Sequence, residues 1–400
     1  IRPERGLSMS VTLKRSVLAL RINFFFMGVL MGGWSTRIPE LKTALHMSDA
    51  TLGRTLIGAS LAAFVTSRFI GRLINELGTK KVFYLGSLVF PIGYLLMAFA
   101  PNPFVVFLGI FAFVVGYMFL DNPLTIITQG LEAENDRKFL SGFHAFWSIG
   151  TLAAAFFGSF LIGRVRYSIH LAGIAAIVFT VLLISARALQ EKASESNEEK
   201  TEHLPWFSPL GKFVILVGLG MMFSNGAEFG ATDWSALFLR DVLSITGQLY
   251  VGAYLAFESG MIVSRILGDK YIHKYGAATV IKFSGMIGST VWLATMLIGV
   301  NIDHFNRPLA YVVILIGYFV AGSGVGPLFP GFITILGSTP GINMGTALSR
   351  AFLVAMTGVA VIPATIGFIS DSTSLTFGML LPIALLFGAG ILSRIGKRTR

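Results

Sequence analysis

The chain has 400 residues, 54% hydrophobic and 13% charged, with a mean hydropathy of +0.75. A soluble domain carries about 25% charged residues, so this chain has too little polar sequence to cover a water-soluble body and too much apolar sequence for disorder. The net charge of +11 makes nucleic acid a candidate partner until the basic residues are located, and the lack of cysteine excludes disulfides, thiolate nucleophiles and cysteine zinc sites.

A bilayer core of about 30 Å takes about 20 apolar residues per helix. The first such stretch covers 16–36 and holds Arg21, Gly28, Gly32, Gly33 and Trp34. Eleven more follow it and no small-residue cleavage site ends it, so it reads as a span rather than a signal peptide. The second, 51–71, ends on Ser67-Arg68-x-x-Gly71. Spans three to six are predicted at 82–100, 104–128, 140–163 and 167–188. Asp121-Asn122-Pro123 lies in the fourth, and His144, Trp147 and Ser148 lie in the fifth. Residues 189–212 then break the pattern with a run rich in Glu, Ser and Lys that includes two prolines, as a solvated linker does. Spans seven to twelve are predicted at 213–236, 247–268, 278–300, 308–335, 343–369 and 375–395. Asn225, Glu228 and Asp233 occupy the seventh, and Glu258 and Arg265 the eighth. The expected division is an N-terminal six-helix bundle (1–188), a cytoplasmic linker (189–212) and a C-terminal six-helix bundle (213–400).

Most of the 31 lysines and arginines fall on the side of the bilayer that both termini share. Arg2, Arg5, Lys14 and Arg15 precede the first span. Arg72, Lys80 and Lys81 follow the second, and Arg394, Lys397, Arg398 and Arg400 end the chain. Basic loops stay inside, which predicts cytoplasmic termini. The charge of +11 is then an orientation signal against anionic lipid, and nucleic acid is not needed to explain it. A multi-pass monomer in the plasma membrane is expected, the inner membrane in a bacterium.

The two halves repeat. Gly33-Trp34-Ser35 near the end of the first span is matched by Asp233-Trp234-Ser235 near the end of the seventh. Ser67-Arg68-x-x-Gly71 is matched by Ser264-Arg265-x-x-Gly268, with Gly78 and Gly276 following at seven and eight residues. Duplicated halves mark secondary transporters, whose substrate site lies near the midplane between them.

Gly71-Arg72-Leu73-Ile74-Asn75-Glu76-Leu77-Gly78-Thr79-Lys80-Lys81 resembles the loop between helices two and three of the major facilitator superfamily, with the pattern G-x-L-x-D-x-x-G-R-K/R-x. Asn75 stands where that pattern has an acid, and Asp269 at the matching end of helix eight is the nearest counterpart. The resemblance covers essentially the whole chain. It implies an all-α membrane fold of twelve helices in two pseudo-symmetric six-helix bundles, with helices one, four, seven and ten around a cavity. It also implies a conformational role for Arg68, Gly71, Arg72, Gly78, Arg265 and Asp269. Three further stretches are similar to the fucose-permease-like branch and its YbjJ/MosC-type members. These are Gly33-Trp34 with Arg37-Ile38-Pro39, His144-x-x-Trp147-Ser148-x-Gly150, and Glu228-x-x-x-x-Asp233-Trp234-Ser235 with Leu239-Arg240-Asp241. That branch implies sugars or related polar solutes, often moved with protons. Its helix four pairs an acid with Asn four residues later. Here Asp121 is present, Thr125 takes the later position and Asn122 is adjacent.

A charge at mid-bilayer costs at least about 2.5–3.5 kcal/mol, so such residues face a cavity or a partner. Arg21, Asp121 and His144 are placed in the cytoplasmic third by a rise of about 1.5 Å per residue. One expected cluster has Arg21 holding Asp121 ionised while His144 responds to both. The alternative is a static pair that ties helices within one half. His144 suits a proton site or a hydrogen-bonded core, and Trp147 suits ring stacking or packing. Glu228 and Asp233 point about 140° apart on one helix and form no dyad. Asp233 is expected at the water interface with Arg240 or Arg37, and Asn225 shares the Glu228 face. Glu258 lies near the middle of helix eight and is a candidate proton carrier, or else a protonated carboxyl bonded to a neighbour. Gly28, Gly32, Gly33, Gly322, Gly324 and Gly326 read as close-packing positions rather than a phosphate cradle. No P-loop, zinc-ligand spacing or strand–turn–helix nucleophile is present.

The reading is a secondary active transporter, most simply a proton symporter of a small, sugar-like solute. Its expected substrate set is Trp34, Asp121, Asn122, His144, Trp147, Asn225 and Glu228. Its proton set is Glu258, Asp121, His144 and Arg21. No enzyme activity, cofactor or metal is expected. The rivals are a drug or metabolite exporter working against protons, a membrane sensor and an intramembrane enzyme.

Overall fold

Caps and prolines place the helix starts. The computed structural model describes residues 11–135, 140–191, 205–206, 208–340 and 344–394. Helix α1 (Val11–Ser35) is followed by the short α2 (Ile38–Ala44), which has proline in its first turn, where the missing N–H costs nothing. Ser48 caps α3 (Asp49–Ser67), its Oγ accepting from the Thr51 N–H at 3.2 Å. A 50° bend leads from α3 into α4 (Ile70–Leu77). Gly78, at φ +88°, joins α4 to α5 (Thr79–Ala98), a conformation that suits glycine. Helices α6 (Pro103–Asn135), α7 (Leu140–Ser159) and α8 (Tyr167–Ser185) complete the first bundle.

Ser208 caps α9 (Pro209–Leu237) onto the Gly211 N–H at 3.0 Å. A π-helical turn, Phe238–Val242, and a 3-10 turn, Gly247–Val251, precede α10 (Gly252–Tyr275). Gly276, at φ +80°, joins it to α11 (Ala277–Ile302), as Gly78 does in the first half. Helices α12 (Arg307–Val325) and α13 (Leu328–Gly337) break at Gly326-Pro327. Then come α14 (Met344–Ser372), α15 (Leu375–Gly378) and α16 (Leu380–Leu392).

Helix pairing shows the duplication. In the first bundle α1 packs on α7, α3 on α6, α5 on α6 and α5 on α8. In the second, α9 packs on α14, α10 on α12, α11 on α12 and α11 on α16. The bundles meet through α3 with α14 and α7 with α10. This is an all-α membrane fold of two pseudo-symmetric bundles. Among the described residues nine helices are long and apolar enough to cross a bilayer, or ten when α3 and α4 count as one bent span. Helices α7 and α10 fall outside that group although they have 20 and 24 residues. On α10, Glu258, Ser264 and Arg265 lower the average.

Three boundaries differ from expectation. The second span, predicted straight over 51–71, bends after Ser67. The fourth, predicted to end at 128, runs to Asn135, because helical hydrogen bonding outlasts the apolar run. The eighth begins at Gly252 rather than 247, because Gly247–Val251 forms the 3-10 turn, and it continues to Tyr275. Residues 192–204 of the expected linker, the basic Arg2 and Arg5, and Lys397, Arg398 and Arg400 lie outside the described residues.

Gly28 allows α1 to touch α7. A Cβ there would overlap the Trp147 carbonyl oxygen, and one at Gly32 would overlap that of Thr151. On α12, Gly322 meets the Phe257 carbonyl of α10 in the same way. We expect Gly28→Val to cost about 1–3 kcal/mol through overpacking. Gly71→Ala should cost nothing measurable, since no atom lies within 4 Å of its Cβ position. Thermal melting of the two purified variants in detergent checks the contrast, and equal melting would refute it.

Candidate functional site at the bundle interface

Helices α7 and α10, which pack on each other across the bundles, bring polar groups to the interface. His144 on α7 is solvent-accessible, and the charge of Arg265 on α10 acts on it from the other bundle. Arg265 Nη2 lies 3.4 Å from Glu228 Oε1 on α9. Glu258, two turns before Arg265 on α10, is 2% exposed, and its Oε2 has no hydrogen-bond partner among the described residues. The charges of Glu228 and Arg265 both act on it. The Arg265–Glu228 pair thus stands within the charge range of a second carboxyl and of an imidazole from the other bundle. Asn225 is buried on α9, one turn before Glu228.

The first bundle adds an aromatic and a carboxylate. Trp147 Nε1 donates to Tyr117 Oη at 2.6 Å. Tyr117 precedes Asp121 by one turn of α6 and lies within range of its charge. Asn122 turns its amide back onto the Met118 carbonyl at 2.9 Å. On α10, Tyr254 stands one turn before Glu258, senses that carboxyl, and receives a hydrogen bond partner in Ser35 of α1. Tyr117 and Tyr254 were not among the expected site residues. The available signal was a tyrosine four residues before an intramembrane acid, present once in each half.

Several expected partnerships are not formed. Arg21 does not pair with Asp121. Its guanidinium stands 5.4 Å from the centroid of the Phe146 ring, and among the described residues it pairs with no carboxylate. His144 also packs on α1, its ring 5.3 Å from that of Phe24, one turn after Arg21. Asp233 pairs with neither Arg240 nor Arg37, because those bases are taken by Asp241 and Glu40. Trp34 is 6% exposed. It lies six residues, about 9 Å, beyond the level at which Gly28 meets Trp147.

Trp34 belongs instead to the end of the molecule opposite the termini. There the buried Arg37 donates through Nε to His170 Nδ1 at 2.8 Å and pairs with Glu40. Three ties then cross between bundles. Lys42 Nζ meets Asp241 Oδ2 at 3.0 Å. Arg240 donates to the Pro39 carbonyl and, at 2.8 Å, to Thr43 Oγ1. The Asp49 N–H donates to Asp371 Oδ1 at 2.9 Å, while Ser370 donates to the Asp49 carboxylate. This distal end is closed.

The sequence profile of the Major Facilitator Superfamily matches residues 20–363. The chain belongs to the Major Facilitator Superfamily. The facilitator is similar to membrane protein MosC of Rhizobium meliloti, at 24% identity over 96% of this chain and 90% of that one. It is also similar to the transporter y4wD of Sinorhizobium fredii, at 23% identity over 88% and 90%. Its fold matches a bacterial homologue of the human lysosomal transporter Spinster, solved inward-facing and unoccupied, with a TM-score of 0.76 at 14% identity over 98% of each chain. It is an integral multi-pass membrane transporter.

The facilitator's conserved-pattern loop sits at the terminal end. Arg68 lies over the Phe64 ring at 4.5 Å, and Arg72 pairs with Glu76 at 2.7 Å on the surface. Gly71 and Asn75 are exposed. Glu191 accepts from Thr79 Oγ1 at 2.9 Å, beside Gly78. Arg265, expected with these loop residues, lies instead within the continuous α10 against Glu228, because α10 lacks the bend that α3 and α4 show. The side chain of Asp269 lies outside the described residues. Among the described residues no group of three or more His, Asp or Glu could hold a metal.

Proposed function

We propose that this facilitator imports a small polar, sugar-like solute together with protons by alternating access. The observation that carries the reading is Glu258, buried within the charge range of the Glu228–Arg265 pair, whose Arg265 also acts on His144 of the other bundle. A carboxyl group in apolar surroundings binds a proton according to the charges around it. Rocking of the bundles changes the distance between His144 and Arg265, and so changes the field at Glu258. Protonation and solute then favour one orientation through their different affinities for the two states. Trp147 and Tyr117 offer ring faces to a solute, and Asp121, Asn122, Asn225 and Glu228 offer polar atoms to its hydroxyls.

The basic loops support cytoplasmic termini, which makes the closed distal end the outer end. The bundles take residues 1–188 and 213–400, with 189–212 as the cytoplasmic linker. Arg68, Gly71, Arg72, Gly78 and Asp269 serve the change between states at the cytoplasmic end. The transporter works as a monomer in the plasma membrane.

The test is uptake of labelled sugars, polyols and nucleosides into liposomes holding the purified protein. An inward proton gradient should raise accumulation several-fold. Uptake that ignores the gradient would overturn the coupling. Counterflow of a solute outside the sugar-like class alone would overturn the substrate class. Absence of any exchange across that solute range would favour the sensor reading.

A further inference from the structure

A cavity of about 460 Å³ lies outside the site just described, between α10, α11 and α12. Its α10 wall is the stripe Val263, Leu267, Tyr271 and Tyr275, spaced four residues apart. Val263 and Arg265 point about 200° from each other. Since Arg265 faces Glu228 at the bundle interface, the stripe faces away from the centre. Val263, Leu267, Tyr271 and Tyr275 are 44%, 41%, 45% and 51% exposed, and Phe283 on the α11 side is 54% exposed. The crevice therefore opens sideways into the hydrocarbon layer, at the end of the molecule that holds the termini.

Its rim is cationic. Lys274 Nζ stands 4.9 Å from the centroid of the Tyr275 ring, and Lys282 Nζ stands 5.3 Å from that of Phe283. Both rings line the cavity. The two lysines belong to different helices, on either side of the Gly276 turn, and each stands against a ring that lines the crevice. Ser264, Ser284 and Ser323 put hydroxyls along the inner wall. An apolar slot with two ammonium groups at its entrance matches one kind of molecule: a long alkyl chain that carries an anionic head. We infer that this crevice is a binding site for an anionic glycerophospholipid, with an acyl chain along the Val263–Tyr271 stripe and the phosphate between Lys274 and Lys282. This inference is independent of the solute and of proton coupling. It assigns a function to basic residues that would otherwise serve orientation alone.

The experiment uses the full chain in nanodiscs of phosphatidylethanolamine with or without phosphatidylglycerol. Native mass spectrometry after mild detergent release reads the retained lipid. The wild type should retain phosphatidylglycerol over phosphatidylethanolamine. The double substitution Lys274→Gln with Lys282→Gln should reduce that preference about tenfold or more, as two surface lysines facing an anionic head would. Ser323→Leu, which fills the slot and keeps both lysines, should also reduce retention. Melting curves establish that each variant is folded, and a variant that fails to fold is replaced by Lys274→Arg with Lys282→Arg, which should keep the preference. No preference in the wild type, or an unchanged preference in the folded glutamine variant, would overturn the proposal.

Discussion

Glu258→Gln is expected to abolish accumulation driven by a proton gradient while leaving solute exchange intact. The substitution keeps the size and the hydrogen-bonding capacity of the side chain and removes only its ability to change charge. For one proton per solute, a gradient of one pH unit sustains about tenfold accumulation. The variant should therefore equilibrate its solute and stop, while the wild type continues to concentrate it. Exchange in the absence of a gradient needs only the rocking motion and the solute site, so it should survive. Glu228→Gln makes the contrast sharper. It strips Arg265 of its partner at 3.4 Å, and because that guanidinium is 37% exposed the loss of stability should be small, about 0–1 kcal/mol, while exchange should fall. Retained gradient dependence in Glu258→Gln would remove this residue from the proton path and direct attention to Asp121 and His144.

Cross-linking the distal end should arrest transport. Lys42 and Asp241 join the two bundles at 3.0 Å, and Arg240 ties to Pro39 and Thr43 beside them. Partly exposed ion pairs each contribute about 0–1 kcal/mol. Several weak ties of this kind hold the end shut yet allow it to open, and removal of one by Lys42→Ala should change the transport rate little. A covalent tie is different. The chain has no cysteine, so Lys42→Cys with Asp241→Cys provides the only thiols. A short, reducible bifunctional thiol reagent should abolish exchange, and reduction should restore it. The single-cysteine variants should be unaffected. Undiminished exchange in fully cross-linked protein would show that the bundles do not part at this end.

The site was partly legible in the sequence. Asp121, His144, Glu228 and Glu258 are conspicuous because each breaks a hydrophobic run. Their partners are not conspicuous. Arg265 falls inside the eighth span, but its match to Arg68 assigned it a conformational role, and nothing in the sequence points it at Glu228. Arg21 and Asp121 lie at comparable depth, and depth alone suggested a pair. The rotation of α1 against α7 sends Arg21 to Phe146 instead. Tyr117 and Tyr254 carry no charge and pass as ordinary aromatic residues until Trp147 and Ser35 are found beside them.

Hydropathy, glycine and proline act locally along the chain. They therefore determine the membrane class by themselves, while the duplicated halves and the family resemblance rest on short motifs such as Gly71–Lys81. Burial cost makes each intramembrane charge visible from sequence, because the penalty belongs to the residue alone. A partner belongs to two helices at once. Which charges meet depends on how each helix is rotated and how closely it packs, and that is decided by contacts such as Gly28 against Trp147. The tertiary structure alone decided that Arg265 pairs with Glu228 within the charge range of Glu258 and His144, and that the opposite end of the molecule is held closed.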